Sequence, residues 1–547
     1  MSSTLVIIYL FQQIKFPDEC FKEVPPISLN EADQILDLWL KNVRRSLLPS
    51  QKQCVMEAFK TCQLPLYLKL AFDEAIRWKS YYQPNETILA ANVQDIINAL
   101  FDRIERIHGK TLVCHALAYI TASKNGLTET ELEDLLSLDD TVLNDVYQYW
   151  TPPVRRLPPL LWIRIRSEIN DYLIDRGADG TRVIYWYHRQ FIEVARQRYL
   201  QSEEAAVIHS NMSEYFLGTW SGKKKPYEDK SGKPNSMDRL VARQPLMFNN
   251  SLKNPVFNLR KLSELPIHLL QSSQYDRVVL ECLCNFEFLL AKLRGLSLES
   301  VLDDFTSYLE IKPEDKDVKL LCDTLRLATF ALKHEPKQLS SQLIGRMFKF
   351  LQREKQYPLI YKVLKEAQSC SIPCFIPNMK CLTAPGGALV STIPLSGMST
   401  DFVSVAKDNK TIAITAYGGE GFDIKIVDSN NGKELRKFTL LEPVQIYRTN
   451  FNKISDVNIN NIFLAGSNTV FLINTLTGKF EKSFQITEDE WFGYSRTMPI
   501  CFPDDEKLLA VIGPDSLIIW KVNDGLKLHD IKLKGISFYR GLENLLN

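Results

Sequence analysis

The sequence predicts a multidomain α plus β protein in which a helical bundle, a winged helix and a helical array precede an incomplete β-propeller. Three observations predict this class. Apolar residues recur at helical spacing from residue 28 to about residue 384, and strand-like alternation replaces that spacing beyond residue 385. Between these limits, residues 111–200 follow the order helix, turn, helix, helix and strand of a winged helix. The length of 547 residues also favours several domains over one core.

The first element is a predicted strand. The apolar run from Leu5 to Phe11 is too short to span a bilayer and has no basic segment before it. It indicates a buried strand, yet no element precedes it for pairing. We therefore assign residues 1–27 to this strand and expect that a more N-terminal part is missing.

Residues 28–110 are expected to form a compact helical domain. Ser28 is a predicted N-cap with Glu31 in the first turn of its helix. Further helices follow at short intervals, and Gly109 is the predicted C-cap of the last one. Short connections between amphipathic helices are typical of a bundle.

Residues 111–200 carry the signals of a winged helix. Thr128 and Glu131 form a predicted capping box ahead of an apolar helix. The glycines at 177 and 180 predict the turn of the wing, and a β-rich run follows over residues 181–187. We expect the side chains of Phe191 and Leu135 to be buried in one core. The dense apolar set of this region is Trp162, Ile163, Ile165, Ile169, Tyr172, Leu173, Val183, Tyr185, Tyr187 and Phe191.

Residues 201–384 show helical periodicity and are expected to form a helical array or linker domain. The periodicity is interrupted by a polar stretch over residues 221–235, which we interpret as a loop. Lys223, Lys224 and Lys225 lie in this stretch, and the expected reading is a solvated loop tip rather than a nuclear localisation signal.

Residues 385–547 contain a repeat of strands with period-two alternation. The turn glycines Gly432, Gly478 and Gly525 are 46 and 47 residues apart, close to the length of a four-stranded propeller blade. At that spacing the region holds about three and a half blades, whereas closed propellers have at least four. The sequence therefore predicts a partial propeller.

An open arc of blades leaves faces without neighbours. The apolar residues around Val403, Val405, Leu508 and Val511 would then meet water, and such surfaces drive association. We expect the segment 385–547 on its own to aggregate or oligomerise. We also expect the native form to continue past Asn547 or to complete its ring with another chain.

Composition excludes several classes of function. The 66 basic and 65 acidic residues leave a net charge of +1, so no general nucleic-acid binder is predicted. No run of residues is long and apolar enough to predict a membrane span. The 11 scattered cysteines favour reduced thiols in the cytoplasm over a disulfide framework.

No catalytic or metal site is predicted. The sequence has seven histidines and no Gly-x-Ser-x-Gly motif, so no nucleophile with its base can be assigned. Cys370, Cys374 and Cys381 lack a Cys-x-x-Cys pair and a nearby histidine, which argues against zinc. Cys282 and Cys284 alternate with apolar residues and are expected to be buried.

Four motifs together resemble the NACHT and WD-repeat family of signal-transducing P-loop NTPases. The resemblance implies a propeller of the WD40 type, and it implies two nucleotide contacts. The proline of the first motif, Pro65, would pack against adenine, and the histidine of the third, His188, would touch the β-phosphate of ADP. The motifs are CQLPLYL at 62–68, LPPLLW at 157–162, YHRQFIE at 187–193 and CNFEFLL at 284–290.

The sequence departs from this family at the phosphate site. It contains no Gly-x4-Gly-Lys-Ser/Thr motif and no apolar run ending in paired acids before residue 28. The resemblance therefore makes residues 1–27 a remnant of the last strand of an NTPase core, and no cofactor is expected unless a phosphate loop lies upstream. His188 has the alternative role of a cap at the strand end, and Pro65 that of a helix initiator.

Two functions follow from these expectations. The first is a regulatory and scaffolding protein without NTPase activity of its own, which binds proteins through the propeller and the helical array and forms homo-oligomers. The alternative is an isolated helical and propeller interaction module that does not depend on nucleotide. An enzyme on the propeller is the least supported class, because residues 385–547 show no carboxylate or metal constellation.

Overall fold

The computed structural model describes two compact units, one built mainly from residues 24–385 and one from the strands beyond residue 386. Each unit is described by itself. The described residues are 25–150, 152–228, 232–249, 255–387, 389, 400–406, 410–418, 421–429, 434–440, 446–451, 461–466, 469–475, 478–485, 500–501, 508–512, 516–522 and 524–532. The predicted strand at Leu5 to Phe11 lies outside them.

The first unit begins with helices whose ends follow the local signals in the sequence. The Ser28 side chain accepts a hydrogen bond from the Glu31 N–H, and the Glu31 carboxylate accepts one from the Ser28 N–H, which is a capping box. Gly109 ends the fourth helix with a φ of 96°, as expected of a C-cap. The helices are α1 Leu29–Asn42, α2 Pro49–Thr61, α3 Pro65–Ala75, α4 Val93–His108 and α5 Lys110–Ala122.

The winged helix contains the predicted helix, turn, helix and strand order. The Thr128 and Glu131 capping box is present, with both reciprocal hydrogen bonds. Leu127 bridges Ile184, so a third short segment pairs with the hairpin of the wing. The elements are α6 Glu129–Leu138, α7 Asp140–Val146, α8 Pro159–Ile169, β1 Leu173–Ala178, β2 Thr181–Trp186 and α9 Arg189–Tyr199.

An aromatic cluster forms the core of the winged helix. The Phe191 ring is fully buried and stacks on Tyr172 at 4.6 Å and on Trp186 at 5.5 Å between ring centroids. Leu135 is also fully buried, as predicted. Two members of the apolar set lie on the surface: Ile163 is 54% exposed and Tyr187 is 68% exposed.

The region after the winged helix is mainly helical, but two short hairpins interrupt it. The expected polar loop contains the pair β3 and β4, and Lys225 in β3 is half-buried with its Nζ donating to Asp140 Oδ2 at 2.7 Å. The interpretation of all three lysines as a solvated tip was therefore wrong for Lys225, because the β3 strand places its ammonium beside a carboxylate. The elements are α10 Ser202–Leu217, β3 Lys224–Glu228, β4 Pro234–Asp238, β5 Met247–Asn249, β6 Val256–Phe257, α11 Leu259–Gln271, α12 Tyr275–Val278, α13 Phe286–Gly295, α14 Leu298–Ile311, α15 Lys316–Leu327, α16 Thr329–His334, α17 Leu339–Met347 and α18 Pro358–Gln368.

The second unit contains three four-stranded antiparallel sheets, each a meander of consecutive strands. We call them the first sheet (β7–β10), the second sheet (β11–β14) and the third sheet (β15–β18). Their strands are β7 Thr400–Val405, β8 Thr411–Gly418, β9 Gly421–Asp428, β10 Glu434–Leu440, β11 Ile446–Phe451, β12 Asn461–Gly466, β13 Thr469–Asn474, β14 Phe480–Gln485, β15 Ile500–Cys501, β16 Leu508–Ile512, β17 Ser516–Lys521 and β18 Leu526–Lys532.

The sheets repeat in detail. Gly478 and Gly525 have φ values of 66° and 69°, and each N–H donates to the carbonyl four residues earlier. The last two strands of each sheet also share one register irregularity, which falls at Glu434 in the first sheet, Phe480 in the second and Lys527 in the third. These three positions are 46 and 47 residues apart, so the spacing read from the glycines is a structural repeat.

Consecutive sheets share apolar cores. Ile424 and Ile426 of the first sheet cluster with Ile473 of the second. On the other side of the second sheet, Leu472 clusters with Val511 of the third. Val511 was expected on an open face, but the second sheet covers it.

Candidate regulatory junction of the winged helix

A cluster of buried charges joins the winged helix to α11. We call it the junction cluster and define it by Glu131, Asp179, Arg260, Glu264 and His268. Glu131 lies on α6, Asp179 lies in the turn of the wing, and the other three lie on one face of α11. Each of these side chains is at most 9% exposed. The cluster therefore connects segments about 130 residues apart in the chain.

Arg260 is the centre of the junction cluster. Its Nε donates to Glu131 Oε1 at 2.9 Å, and its Nη1 lies 3.0 Å from both Asp179 Oδ2 and Glu264 Oε1. Its Nη2 donates to the Gly126 carbonyl at 2.6 Å. Burial opposes the charged form, but the carboxylates of Glu131 and Glu264 raise the pKa of Arg260 above its usual value. One guanidinium thus holds three carboxylates.

The turn of the wing is shaped to reach Arg260. Asp179 and Gly180 both have positive φ, 49° and 73°, as in the two-residue turns that favour aspartate followed by glycine. The Asp179 carboxylate also accepts a hydrogen bond from Asn125 Nδ2 at 3.2 Å. The wing is therefore tied both to α11 and to the turn before α6.

Glu264 is buried and ionised. It accepts hydrogen bonds from the backbone N–H groups of Lys124 and Asn125 at 2.9 and 3.1 Å. Burial alone would raise its pKa, but the His268 hydrogen bond, the Arg260 charge and the Lys124 N–H lower the pKa to about 2. The turn between α5 and α6 is thereby attached to α11.

His268 extends the cluster to His209 on α10. Its Nε2 lies 3.1 Å from Glu264 Oε2, and its Nδ1 lies 2.9 Å from His209 Nδ1. Because the Glu264 carboxylate can only accept, His268 Nε2 carries a proton, and the Nδ1 atoms of His268 and His209 share one hydrogen bond. Burial, and then the neighbouring His268, lower the pKa of His209 to about 3. His209 is therefore neutral at physiological pH.

The structure places the two sequence-predicted nucleotide residues at helix starts. Pro65 is the exposed first residue of α3, where its missing N–H is not needed. His188 is the N-cap of α9, and its Nδ1 accepts a hydrogen bond from the Gln190 N–H at 3.2 Å. That bond makes Nε2 the protonated nitrogen, so a donor remains on the half-buried ring. Each residue thus has the structural role that the sequence left open.

The junction cluster was missed in the sequence. Arg260, Glu264 and His268 are spaced four residues apart and so share one face of α11, which is a local signal that could have found them. Their partners on the winged helix are too distant in sequence to be paired by spacing.

No metal site is apparent in the part of the chain that the structure describes, where no group of three or more His, Cys, Asp or Glu side chains is arranged to hold an ion. Cys370 and Cys374 are half-buried and Cys381 is exposed, while Cys282 and Cys284 are fully buried as predicted. Among the described helices, none is long and apolar enough to cross a membrane.

Comparison with known proteins identifies the winged helix and the wider relationship. Residues 85–206 match the family described as "NWD1-like, winged helix-turn-helix domain". The chain is 37% identical over 419 residues to human "NACHT domain- and WD repeat-containing protein 1", covering 74% of this chain and 26% of that protein. It is 31% identical over 357 residues to mouse "NACHT and WD repeat domain-containing protein 2", covering 60% and 20%.

The chain thus spans about a quarter of the length of the curated relatives it matches. Among solved structures, Kluyvelomyces marxianus Hsv2 is 8% identical with a TM-score of 0.20, over 25% of this chain and 39% of that one. A score that low carries no argument about this fold. The sequence relatives and the family match confirm the resemblance that the motifs indicated: the chain is a homologue of the NACHT and WD repeat domain-containing proteins.

Proposed function

We propose that this chain is a regulatory and scaffolding protein of the NACHT and WD-repeat type. In this proposal the winged helix and the helices around it control oligomerisation, and the repeated sheets bind protein partners. The chain hydrolyses no nucleotide by itself and acts in the cytoplasm, in keeping with its scattered cysteines. The names of its relatives and the match of the winged helix support the class.

We propose further that the three sheets are blades of a β-propeller of the WD40 type. Four-stranded antiparallel meanders that repeat every 46 or 47 residues and pack face to face are the units of such propellers. Propellers present wide, rigid surfaces, which suits binding of other proteins better than chemistry.

The two residues that the family resemblance assigns to nucleotide binding favour an alternative function without nucleotide. Pro65 starts α3 and His188 caps α9, so both residues are explained without ADP. The phosphate loop that would hold the nucleotide has no counterpart in this sequence. These observations favour an interaction module without nucleotide dependence as the second candidate.

The observation that carries the proposal is the junction cluster. A buried set of hydrogen-bonded charges contributes little net stability, because desolvation offsets the attraction, but it specifies one arrangement of the parts it joins. Here it fixes the wing and the turn before α6 to α11, which lies beyond the family-matched residues. We expect the cluster to hold the protein in a resting arrangement that limits assembly.

The test compares Arg260→Met with wild type by sedimentation velocity over a range of micromolar concentrations. Removing the guanidinium leaves three carboxylates without their counter-charge, which costs about 3 to 5 kcal/mol and favours opening of the junction. We expect Arg260→Met to associate at lower concentration than wild type while still melting cooperatively.

The matched control is Arg182→Met, which removes an exposed arginine of the wing that pairs with Asp175. The control should sediment as wild type does. If Arg260→Met and Arg182→Met assemble alike, the junction does not control assembly and the proposal fails.

A further inference from the structure

A groove lies beside the junction cluster, between the winged helix and the region that follows it. Its volume is about 830 Å³, within the range of about 300 to 1,000 Å³ that holds small-molecule ligands. The winged helix contributes the start of α6 and the turn of the wing, and the following region contributes β5, β6, the start of α11 and the end of α13. We call it the wing groove and name six of its lining residues: Thr181, Arg243, Phe248, Val256, Phe257 and Arg294.

Close packing at Leu259 fixes the shape of the wing groove. A Cβ built on Gly180 in the turn of the wing would lie 3.4 Å from Leu259 Cδ1, and one built on Gly295 at the end of α13 would lie 2.8 Å from Leu259 Cδ2. Both glycines line the groove, so the lack of a side chain lets the wing and α13 approach the same leucine. Packed contacts therefore hold the walls together with the junction cluster, and the groove is formed before a ligand binds.

One wall of the wing groove is apolar and open to solvent. It comes from the hairpin of β5 and β6, in which Phe248 is 62% exposed and Val256 is 51% exposed. Phe257 of β6 is half-buried and also lines the groove. Exposed apolar side chains that meet in a concave surface indicate a binding site, whereas scattered ones do not. The wall therefore suits the apolar part of a ligand.

The cations of the wing groove lie next to this apolar wall. The Arg294 guanidinium lies 5.2 Å from the centre of the Phe257 ring, and Arg243 is an exposed lining residue. Within the described ranges, neither arginine forms an ion pair with a carboxylate. Their N–H groups are therefore available to an acidic group of a ligand, with which guanidinium forms strong charged hydrogen bonds.

The acids of the wing groove are already paired. Glu131 and Asp179 line it, but each side chain is at most 9% exposed and accepts a hydrogen bond from Arg260. The third carboxylate of the junction cluster, Glu264, has no exposed surface. The charges that a ligand meets in the groove are therefore those of the two arginines.

We infer that the wing groove binds an amphipathic organic anion. The aromatic or aliphatic body of the ligand packs on Phe248, Val256 and Phe257, and its carboxylate, sulfonate or phosphate group pairs with Arg294 and Arg243. Because Arg294 lies over Phe257, the acidic and apolar parts of the ligand are adjacent, which favours a small molecule with one acidic end. The inference concerns a ligand site outside the junction contacts and does not depend on the proposed control of assembly.

The experiment uses the full chain and two fluorescent probes that differ in one group. Anilinonaphthalenesulfonate has an aromatic body and a sulfonate, whereas phenylnaphthylamine has the same body without the sulfonate. Fluorescence titration gives the dissociation constant of each probe for wild type and for each variant. A wild type that shows no saturable binding of the sulfonate would overturn the inference.

The double variant Arg243→Gln/Arg294→Gln tests the acidic part of the site. It should bind the sulfonate about tenfold or more weakly, while its affinity for phenylnaphthylamine changes by less than about twofold. The matched control is Arg164→Gln/Arg353→Gln, which removes two exposed arginines that do not line the groove. The control should bind both probes as wild type does. Equal affinity of the two double variants for the sulfonate contradicts the assignment of the anion to this groove.

The variant Val256→Glu tests the apolar part of the site. A carboxylate on the apolar wall removes apolar contact and repels the sulfonate, so both probes should bind about tenfold or more weakly. The matched control is Val207→Glu, which places the same charge on a valine of α10 that is 55% exposed. It should bind both probes with the affinity of wild type. If Val256→Glu and Val207→Glu bind the probes alike, the ligand does not lie in the wing groove and the inference fails.

Discussion

His209 is held neutral inside the protein by burial and by its contact with His268, which lower its pKa to about 3 from an ordinary value of 6.5. Above pH 6.5 the imidazole is neutral in the folded and unfolded states, so its contribution to stability is complete. As the pH falls from 6.5 towards 3, the unfolded chain binds a proton that the folded chain does not, and stability is lost.

We predict that His209→Asn flattens this dependence. The asparagine amide can either donate to or accept from His268 Nδ1, but it does not titrate. Between pH 6.5 and 4.5 the free energy of unfolding of wild type should fall more steeply than that of the variant, by up to about 1.4 kcal/mol per pH unit. Urea unfolding of both proteins at several pH values measures this difference in slope.

The control for that series is His529→Asn, which replaces an exposed histidine and should keep the wild-type slope. Glu264 adds a separate loss at lower pH. Its folded pKa of about 2 lies below the ordinary 4.5, so its stabilisation is present above pH 4.5 and is lost towards pH 2. Equal slopes for wild type and His209→Asn above pH 4.5 would contradict the assignment.

Single elements depend on local backbone geometry, and Gly126 at the start of the winged-helix bridge is the clearest case. It has a φ of 95°, and a Cβ built there would lie 2.6 Å from the Ile184 carbonyl oxygen. That carbonyl accepts the Leu127 N–H, so the close approach belongs to the bridge itself. A side chain at this position would push the bridge and the wing apart.

We predict that Gly126→Ala destabilises the winged helix by about 1 to 3 kcal/mol or more, because backbone strain and a steric clash add. Gly177→Ala in β1 is the matched control, since its Cβ would meet no atom within 4 Å. The control should change the free energy of unfolding by no more than about 0.5 kcal/mol. Thermal melting of both variants measures the loss of stability. Equal losses for Gly126→Ala and Gly177→Ala would show that the contact with the Ile184 carbonyl does not restrict position 126.

Elements with local signals could be predicted from the sequence, and others could not. The caps at Ser28 and Thr128 and the turn glycines depend on residues within one turn, so their chemistry is visible in the sequence. The hairpin of β3 and β4 is short and polar, with no clear alternation, and it was therefore interpreted as a loop. The burial of Lys225 follows from that hairpin and was missed with it.

The candidate site was hidden for a different reason. His188 and Pro65 were found because a family motif contains them, whereas Arg260 pairs with residues far from it in the chain. Charged side chains are normally assigned to the surface, because a charge is stable in the interior only when folding brings an opposite charge beside it. Sequence spacing alone cannot supply that partner.

For the molecule as a whole, we predict that the chain binds ADP weakly or not at all. Tight phosphate binding in P-loop proteins requires successive backbone N–H groups at a helix start and a lysine, and this sequence has no such motif. The Nε2 of His188 could add one hydrogen bond, worth about 1 to 3 kcal/mol to a charged group. Calorimetry with ADP and ATP measures the affinity, and micromolar ADP binding that His188→Ala abolishes would disprove the prediction.

The repeat of the three sheets also determines where the chain can change length. Successive side chains of a strand point to opposite faces, so one residue gained or lost inside β13 would turn Leu472 and its face away from the third sheet. The spacing between sheets already differs, at 46 and 47 residues, without altering any face. Insertions and deletions should therefore accumulate between sheets during evolution and remain rare within them, and duplication should copy whole sheets.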